Sequence, residues 1–249
     1  WPYIHGRVFR ERMSFTRFIN IFRRWRGEHG SQAMSESGVD QSGKGTRALE
    51  QRVNRSMPAG MSRFFIQALQ QEIGDYTLNA MLRQAEVSPL EELSTQMEGG
   101  RGLRAGEYAG LLAKIREYYG YGARGLLIRA GRTTWNELAN QSKIGLGSMG
   151  LVGRTFLHNR VALRSLNVML GHVYGKTDLV STHALDQELY LVDRISDATY
   201  GQKADEPVCV PMLGLILGAL SWGTGADYDV EEIVCRASGA EACRFRIRQ

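Results

Sequence analysis

Cysteine is scarce in this chain and is confined to its end. The 249 residues include three cysteines, Cys209, Cys235 and Cys243. An odd number of cysteines, in a sequence that opens without a signal-peptide pattern, argues against a disulfide framework. We therefore expect a cytoplasmic protein in a reducing compartment, where clustered cysteines indicate a metal site.

Long apolar runs and the common catalytic motifs are missing as well. No run of 18 apolar residues occurs, so we predict no membrane-spanning helix. The sequence has no Walker loop, Rossmann fingerprint, HExxH pair, kinase signature or GxSxG elbow. The glycine-rich stretch 145–153 lacks the Lys-Ser/Thr of a phosphate loop, and the five histidines show no metal-ligand spacing.

The net charge of +5 belongs to the first 30 residues, which hold seven arginines and two glutamates. Residues 14–26 alternate aromatic and basic side chains at helical spacing, so we predict that residues 1–26 form a basic amphipathic extension that contacts a membrane surface or a partner. Residues 27–55, rich in glycine, serine and charge, are predicted to be a flexible linker. Because the remaining chain is neutral, we expect no direct nucleic-acid binding by the core domain.

The core, predicted as residues 56–249, changes its hydrophobic period about two-thirds of the way along the chain. Helical spacing comes first, and Asp75 is the expected N-cap of the third helix. Strands and one strongly apolar helix follow, ending in a hairpin turned at residues 238–241. The fold class is therefore α/β (α+β), with helices packed on an antiparallel sheet. The predicted helices are 48–57, 61–74, 75–89, 106–120, 123–141, 156–173 and 209–223, and the predicted strands are 187–195, 227–237 and 242–248.

The three cysteines lie where that topology can bring them together. Cys235 and Cys243 flank the hairpin turn, so their side chains can share one face. Cys209 begins the apolar helix, whose N-terminus favours a thiolate. Three thiolates and one carboxylate would form a closed, structural zinc site. Strand alternation favours Glu231 over Glu232 as the fourth ligand, because Glu231 and Cys235 fall on the same face.

The segment CVPMLGLILGAL (209–220) followed by VEEIVCRASGAEACRFRI (230–247) resembles the 4-vinyl reductase domain family. That family ends in a Cys-led, glycine-containing helix and a hairpin of the form V-x-E-x-x-C-x-x-x-G-x-x-x-C-x-F. The resemblance is most specific over residues 205–249. It implies an α/β fold shared with trafficking-complex subunits, a homodimer, and an apolar pocket for a small hydrophobic or aromatic ligand.

The resemblance also implies a ligand set for zinc, namely Cys209, Glu232, Cys235 and Cys243. Glu232 conflicts with the alternation argument, but a β-bulge at Glu231–Glu232 would reconcile the two. We follow the resemblance and keep Glu231 as the alternate ligand. Relatives hold their ligand with a histidine and a tryptophan; the candidates here by residue type and region are Trp135, His158, Tyr190 and Trp222.

These observations predict a sensory or carrier domain that binds a small hydrophobic ligand and contains a structural zinc ion. One alternative is a role in tetrapyrrole or bacteriochlorophyll biosynthesis, as a vinyl reductase or as a substrate carrier. Another is a dimeric scaffold that docks on a membrane or a partner. We favour binding over catalysis, because the sequence shows no nicotinamide or flavin fingerprint and a closed zinc site supplies no electrons.

Overall fold

The computed structural model describes residues 55–141, 158–185 and 188–249. The predicted extension 1–26, the linker up to residue 54 and the glycine-rich stretch 145–153 lie outside the described residues. None of the described helices has both the length and the apolar character that crossing a membrane requires.

Six helices precede the sheet in the described chain, and the seventh lies between the second and third strands. The predictions at 106–120, 123–141, 156–173 and 209–223 are confirmed to within about two residues, whereas α3 and β1 were not predicted. The elements are α1 (Ala59–Ile73), α2 (Asp75–Gln84), α3 (Leu90–Glu98), α4 (Ala105–Tyr119), α5 (Gly122–Gln141), α6 (His158–Tyr174), β1 (Val180–Leu185), β2 (Glu188–Asp193), α7 (Val210–Thr224), β3 (Asp229–Val234) and β4 (Cys243–Arg248).

Three local predictions were wrong. Ser56 forms an isolated antiparallel bridge with Arg104, so the described end of the predicted helix 48–57 is not helical. Asp75 is the first residue of α2 and not its N-cap. Gly74 takes the cap position, because the chain turns between α1 and α2 within one residue and needs a φ of 75° there.

The third error is the hairpin turn. Strands β3 and β4 are joined by residues 235–242, which include a short 3-10 turn at Arg236–Ser238 and end that turn with Gly239 at a φ of 93°. The longer connection wraps around a thiol, since the backbone N–H of Arg236 donates a hydrogen bond to Cys243 Sγ at 3.3 Å. The connection is therefore part of the site and not a tight two-residue turn.

The four strands form one antiparallel sheet in the order β1-β2-β4-β3. The predicted alternation is observed in β2, where Leu189, Leu191 and Asp193 are buried. In β4 the buried residues are Cys243, Phe245 and Ile247, and the arginines between them face away. One face of the sheet thus meets the helices and the other is polar, which confirms the predicted fold class.

Helix α7 packs against both α5 and α6 and is buried along nearly its whole length. It approaches α5 through glycines: a Cβ atom added to Gly214 would lie 2.1 Å from the Ile128 carbonyl oxygen, and one added to Gly131 would lie 2.2 Å from the Pro211 carbonyl oxygen. This backbone contact fixes the N-terminal end of α7, where Cys209 lies, relative to the helix layer.

Candidate metal centre

Four side chains from different parts of the fold meet beneath the C-terminal hairpin. Cys209 is the N-cap residue of α7, Glu232 lies in β3, Cys235 directly follows β3, and Cys243 begins β4. All four are buried, and one potential ligand atom of each lies within 4.8 Å of the others. The structure thus brings together three sulfur atoms and one carboxylate oxygen.

Short contacts join the members of this cluster to one another and to the loop after β2. The Sγ atoms of Cys209 and Cys243 are 3.4 Å apart. The backbone N–H of Cys209 donates to Glu232 Oε2 at 3.0 Å. The hydroxyl of Ser196, which follows β2, lies 3.1 Å from Cys209 Sγ. The start of α7 is therefore tied both to the hairpin and to the loop after β2.

The register of β3 explains why Glu232, and not Glu231, belongs to the cluster. Glu232 pairs with Phe245 on the buried face, whereas Glu231 pairs with Arg246 on the exposed face and accepts a hydrogen bond from its guanidinium at 2.7 Å. A register shift between Glu232 and Val234 lets Glu232 and Cys235 share a face although they are three residues apart. The bulge therefore follows Glu232, whereas it was predicted at Glu231–Glu232.

Burial without a cation makes the charge state of the cluster unfavourable. Burial raises the pKa of Glu232 to about 8, and the nearby Cys235 thiolate acts in the same direction. Burial also raises the pKa of Cys209, whereas hydrogen bonds from Cys209 and Cys243 lower the pKa of Cys235 well below its ordinary value. The four groups cannot all be ionised together, so the cluster retains protons that a bound cation would displace.

The donor set fits a zinc ion. Three thiolates and one carboxylate make a tetrahedral set that leaves no position for water, as in structural zinc sites. Glu232 Oε1 is buried and has no hydrogen-bond partner, which is costly for a carboxylate oxygen unless a cation or donor meets it. Soft sulfur ligands also disfavour magnesium and calcium, which bind oxygen.

A small cavity of about 20 Å³ lies beside the cluster. Its walls come from α1, α4, α6, α7 and the loop after β2, and Ser196 belongs to both the cavity and the contacts of Cys209. Its lining residues are Met57, Met61, Tyr108, Val173, Tyr174, Ser196, Asp197, Ala198, Met212 and Leu215. Methionine, aliphatic and aromatic side chains form most of this surface, with a carboxyl and hydroxyl groups at one side.

Buried acids border the cavity, and no sequence pattern indicates them. Asp197 accepts hydrogen bonds from Arg55 Nε at 3.0 Å and Nη2 at 2.6 Å. Burial raises the pKa of Asp197 to about 7, although the Arg55 charge acts against this shift. Tyr174 donates a hydrogen bond to Asp193, whose pKa is also raised by burial. An acid in a loop after a strand usually faces water, so only the three-dimensional packing reveals these two.

The predicted pocket residues are placed in different parts of the molecule. Trp135 is fully buried on α5 with its ring 5.7 Å from that of Trp222 on α7. Tyr190 lies on the sheet face that points away from the helices, stacked on His183 at 5.4 Å. Helix α6 begins at His158, whose side chain lies outside the description. Trp135, Tyr190 and Trp222 are not among the residues that line the cavity.

Comparison with protein families gives one match. Residues 196–249 match the 4-vinyl reductase domain, which confirms the resemblance seen in the sequence. The matched segment contains the whole Cys209–Glu232–Cys235–Cys243 cluster and Ser196. No curated protein sequence matches this chain.

Solved structures with a similar arrangement include H-NOX proteins. One is an H-NOX protein from S. oneidensis in the Fe(II)NO ligation state, with 13% identity, a TM-score of 0.45, and coverage of 77% of this chain and 98% of that one. A mutant of the T. tengcongensis H-NOX has 17% identity, a TM-score of 0.46, and coverage of 74% and 92%. An oxygen-binding H-NOX domain related to soluble guanylate cyclases has 16% identity, a TM-score of 0.43, and coverage of 74% and 90%.

Proposed function

We propose that this chain, whose residues 196–249 match the 4-vinyl reductase domain, is a small-molecule-binding domain with a structural zinc ion. The observation that carries the proposal is the buried Cys209–Glu232–Cys235–Cys243 cluster, with its unpartnered carboxylate oxygen. Bound zinc would supply the positive charge that lets all four ligands ionise together.

The residues themselves explain what such a site does for the fold. Cys209 belongs to the start of α7, whereas Cys235 and Cys243 belong to the two ends of the β3–β4 connection. Holding them on one ion fastens the hairpin to the helix that packs against α5 and α6. A site closed by four protein ligands stabilises structure and offers no position for a substrate.

The cavity beside the cluster supports a ligand that is small and mostly apolar. Its volume of about 20 Å³ suffices for about one water molecule, so a larger occupant requires its walls to move. Met57, Met61 and Met212 line it, and unbranched thioether side chains adapt readily to a new shape. The polar atoms of Ser196 and Asp197 would orient a hydroxyl or a similar hydrogen-bonding group.

Metal analysis tests the zinc part of the proposal. We expect one zinc ion per chain in the wild type, and loss of stoichiometric zinc when Cys209, Cys235 or Cys243 is changed singly to Ser. Because all three cysteines belong to the cluster, Ser196→Ala serves as a control that removes a neighbouring hydroxyl and keeps every ligand. A wild type purified without stoichiometric zinc contradicts the proposal.

Native mass spectrometry with phenols, alkyl aromatics and porphyrins tests the ligand part. Binding of a phenol or alkyl aromatic is the expected result. If no compound of the panel binds, the scaffold alternative gains support, and turnover of a divinyl tetrapyrrole with an added reductant would favour the reductase alternative. The homodimer and the membrane contact of residues 14–26 stay predictions, which sedimentation and vesicle binding test.

A further inference from the structure

Arg116 has an unsatisfied position near the end of α4. The residue is half-buried, and its Nη2 donates a long hydrogen bond of 3.4 Å to Gln202 Oε1. Its Nη1 is buried and has no hydrogen-bond partner. A guanidinium N–H removed from water and left unpaired is costly, so this donor requires an explanation.

The electrostatic surroundings of Arg116 are those of the metal cluster. Burial lowers the pKa of Arg116, and the negative forms of Cys209, Cys235 and Glu232 act in the opposite direction. Three of the four cluster residues are therefore close enough to stabilise the guanidinium charge. Neither Glu107 nor Glu117, the acids of α4, contributes to this shift.

The charge balance of a loaded cluster leaves a negative excess. Three thiolates and one carboxylate carry four negative charges, and a divalent ion cancels two of them. Two uncompensated charges in a buried site are strongly unfavourable unless a cation or hydrogen-bond donors offset them. Arg116 supplies one positive charge and an unused donor beside these residues.

Arg116 also borders solvent. It lines an open cleft of about 410 Å³ together with Tyr121, Arg124, Pro207 and Val210. Pro207 and Val210 lie two residues before and one residue after Cys209, so this cleft approaches the N-terminal end of α7. The guanidinium thus adjoins both the cluster and the cleft through which a chelator can approach.

We propose that Arg116 is the counter-charge of the metal centre, a positioning residue that stabilises the ligand set in its fully ionised, metal-loaded form. The inference rests on the zinc binding proposed above. It assigns a role outside the four ligands and outside the segment 196–249 matched by the 4-vinyl reductase domain, because Arg116 lies in α4.

Chelator competition tests this role in the full chain. Arg116→Gln is expected to weaken zinc binding about 10- to 100-fold, as loss of an outer interaction with metal ligands typically does. Arg116→Lys keeps the charge and is expected to restore most of the affinity. Arg124→Gln removes an exposed arginine of the same cleft and is expected to bind zinc as the wild type does.

The thermal midpoint of the metal-free variants separates a charge effect from a structural one. Arg116→Gln is expected to leave the metal-free midpoint unchanged or raised, because the unpaired buried donor is removed. Equal affinities of wild type and Arg116→Gln overturn the inference, as do equally weak Arg116→Gln and Arg116→Lys variants. A wild type that binds no zinc contradicts the proposed function itself, and this inference falls with it.

Discussion

Glu231 and Glu232 are neighbours in sequence with opposite environments. The first is exposed and pairs with Arg246 across the strands, and the second is buried among three thiols. Simple alternation counted back from Cys235 selects Glu231, because it assumes an uninterrupted strand. The bulge after Glu232 reverses that parity, and a bulge has no reliable signature in a single sequence.

Changing each of these glutamates provides a matched pair of variants. Glu232→Gln is expected to abolish stoichiometric zinc binding or to weaken it at least about tenfold, because a neutral amide neither carries charge nor replaces the carboxylate in the ligand set. Glu231→Gln loses only an exposed ion pair, worth about 0–1 kcal/mol, and is expected to keep its zinc. Zinc analysis after dialysis measures both, and loss of zinc from Glu231→Gln alone would contradict the assignment.

Asp197 makes stability depend on pH. Its pKa is about 7 in the folded protein and 3.8 in the reference state, so the folded form retains a proton that the unfolded form releases. Its contribution is full below pH 3.8 and is lost as the pH rises towards 7. Asp197→Asn stays neutral, so its stability relative to wild type is expected to increase by up to about a few kcal/mol between about pH 5 and pH 8. Parallel pH profiles of the two proteins in urea unfolding would contradict this.

Most helices of this fold follow from periodicity, but their contacts do not. The spacing in 106–120 and 123–141 predicts α4 and α5 closely, since long amphipathic patterns have clear limits at glycines such as Gly120. The close contact of α5 and α7 depends on Gly131, Gly214 and Gly218 facing the partner helix. A glycine within an apolar run indicates only that some backbone or side chain comes near.

Adding one methyl group tests this contact. Gly214→Ala places a Cβ atom 2.1 Å from the Ile128 carbonyl oxygen and is expected to destabilise the protein by roughly 1–3 kcal/mol. Gly171→Ala is the control, because Gly171 is an exposed residue of α6 with no atom within 4 Å of an added Cβ. The control is expected to gain roughly 0.5–1 kcal/mol from helix propensity. Chemical denaturation measures both, and equal effects would argue against close packing.

At the scale of the whole molecule, the metal ligands could be inferred from sequence and the cavity could not. The cysteines, Glu232 and Gly239 lie in one C-terminal segment with a recognisable spacing. The cavity is built from single residues of α1, α4, α6, α7 and the loop after β2. Such a surface has no linear motif, which explains why aromatic residue types alone selected Trp135, Tyr190 and Trp222 as pocket candidates.

Filling the cavity is expected to separate ligand binding from metal binding. Met61→Phe introduces a ring into the cavity wall and should abolish ligand binding while one zinc ion per chain remains. Met81→Phe is the control, because Met81 is buried in α2 away from the cavity and the same change overpacks it at a similar cost of roughly 1–3 kcal/mol. Native mass spectrometry reports both occupants, and undiminished ligand binding in Met61→Phe would contradict the cavity assignment.

The central claim is that Cys209, Cys235, Cys243 and Glu232 together hold one structural zinc ion. X-ray absorption at the zinc edge of the purified wild type tests it most directly, because it counts sulfur and oxygen neighbours separately. The account predicts three sulfur atoms at about 2.3 Å and one oxygen atom at about 2.0–2.2 Å from the metal. A shell without three sulfur atoms, or a protein that contains no zinc to measure, would contradict it.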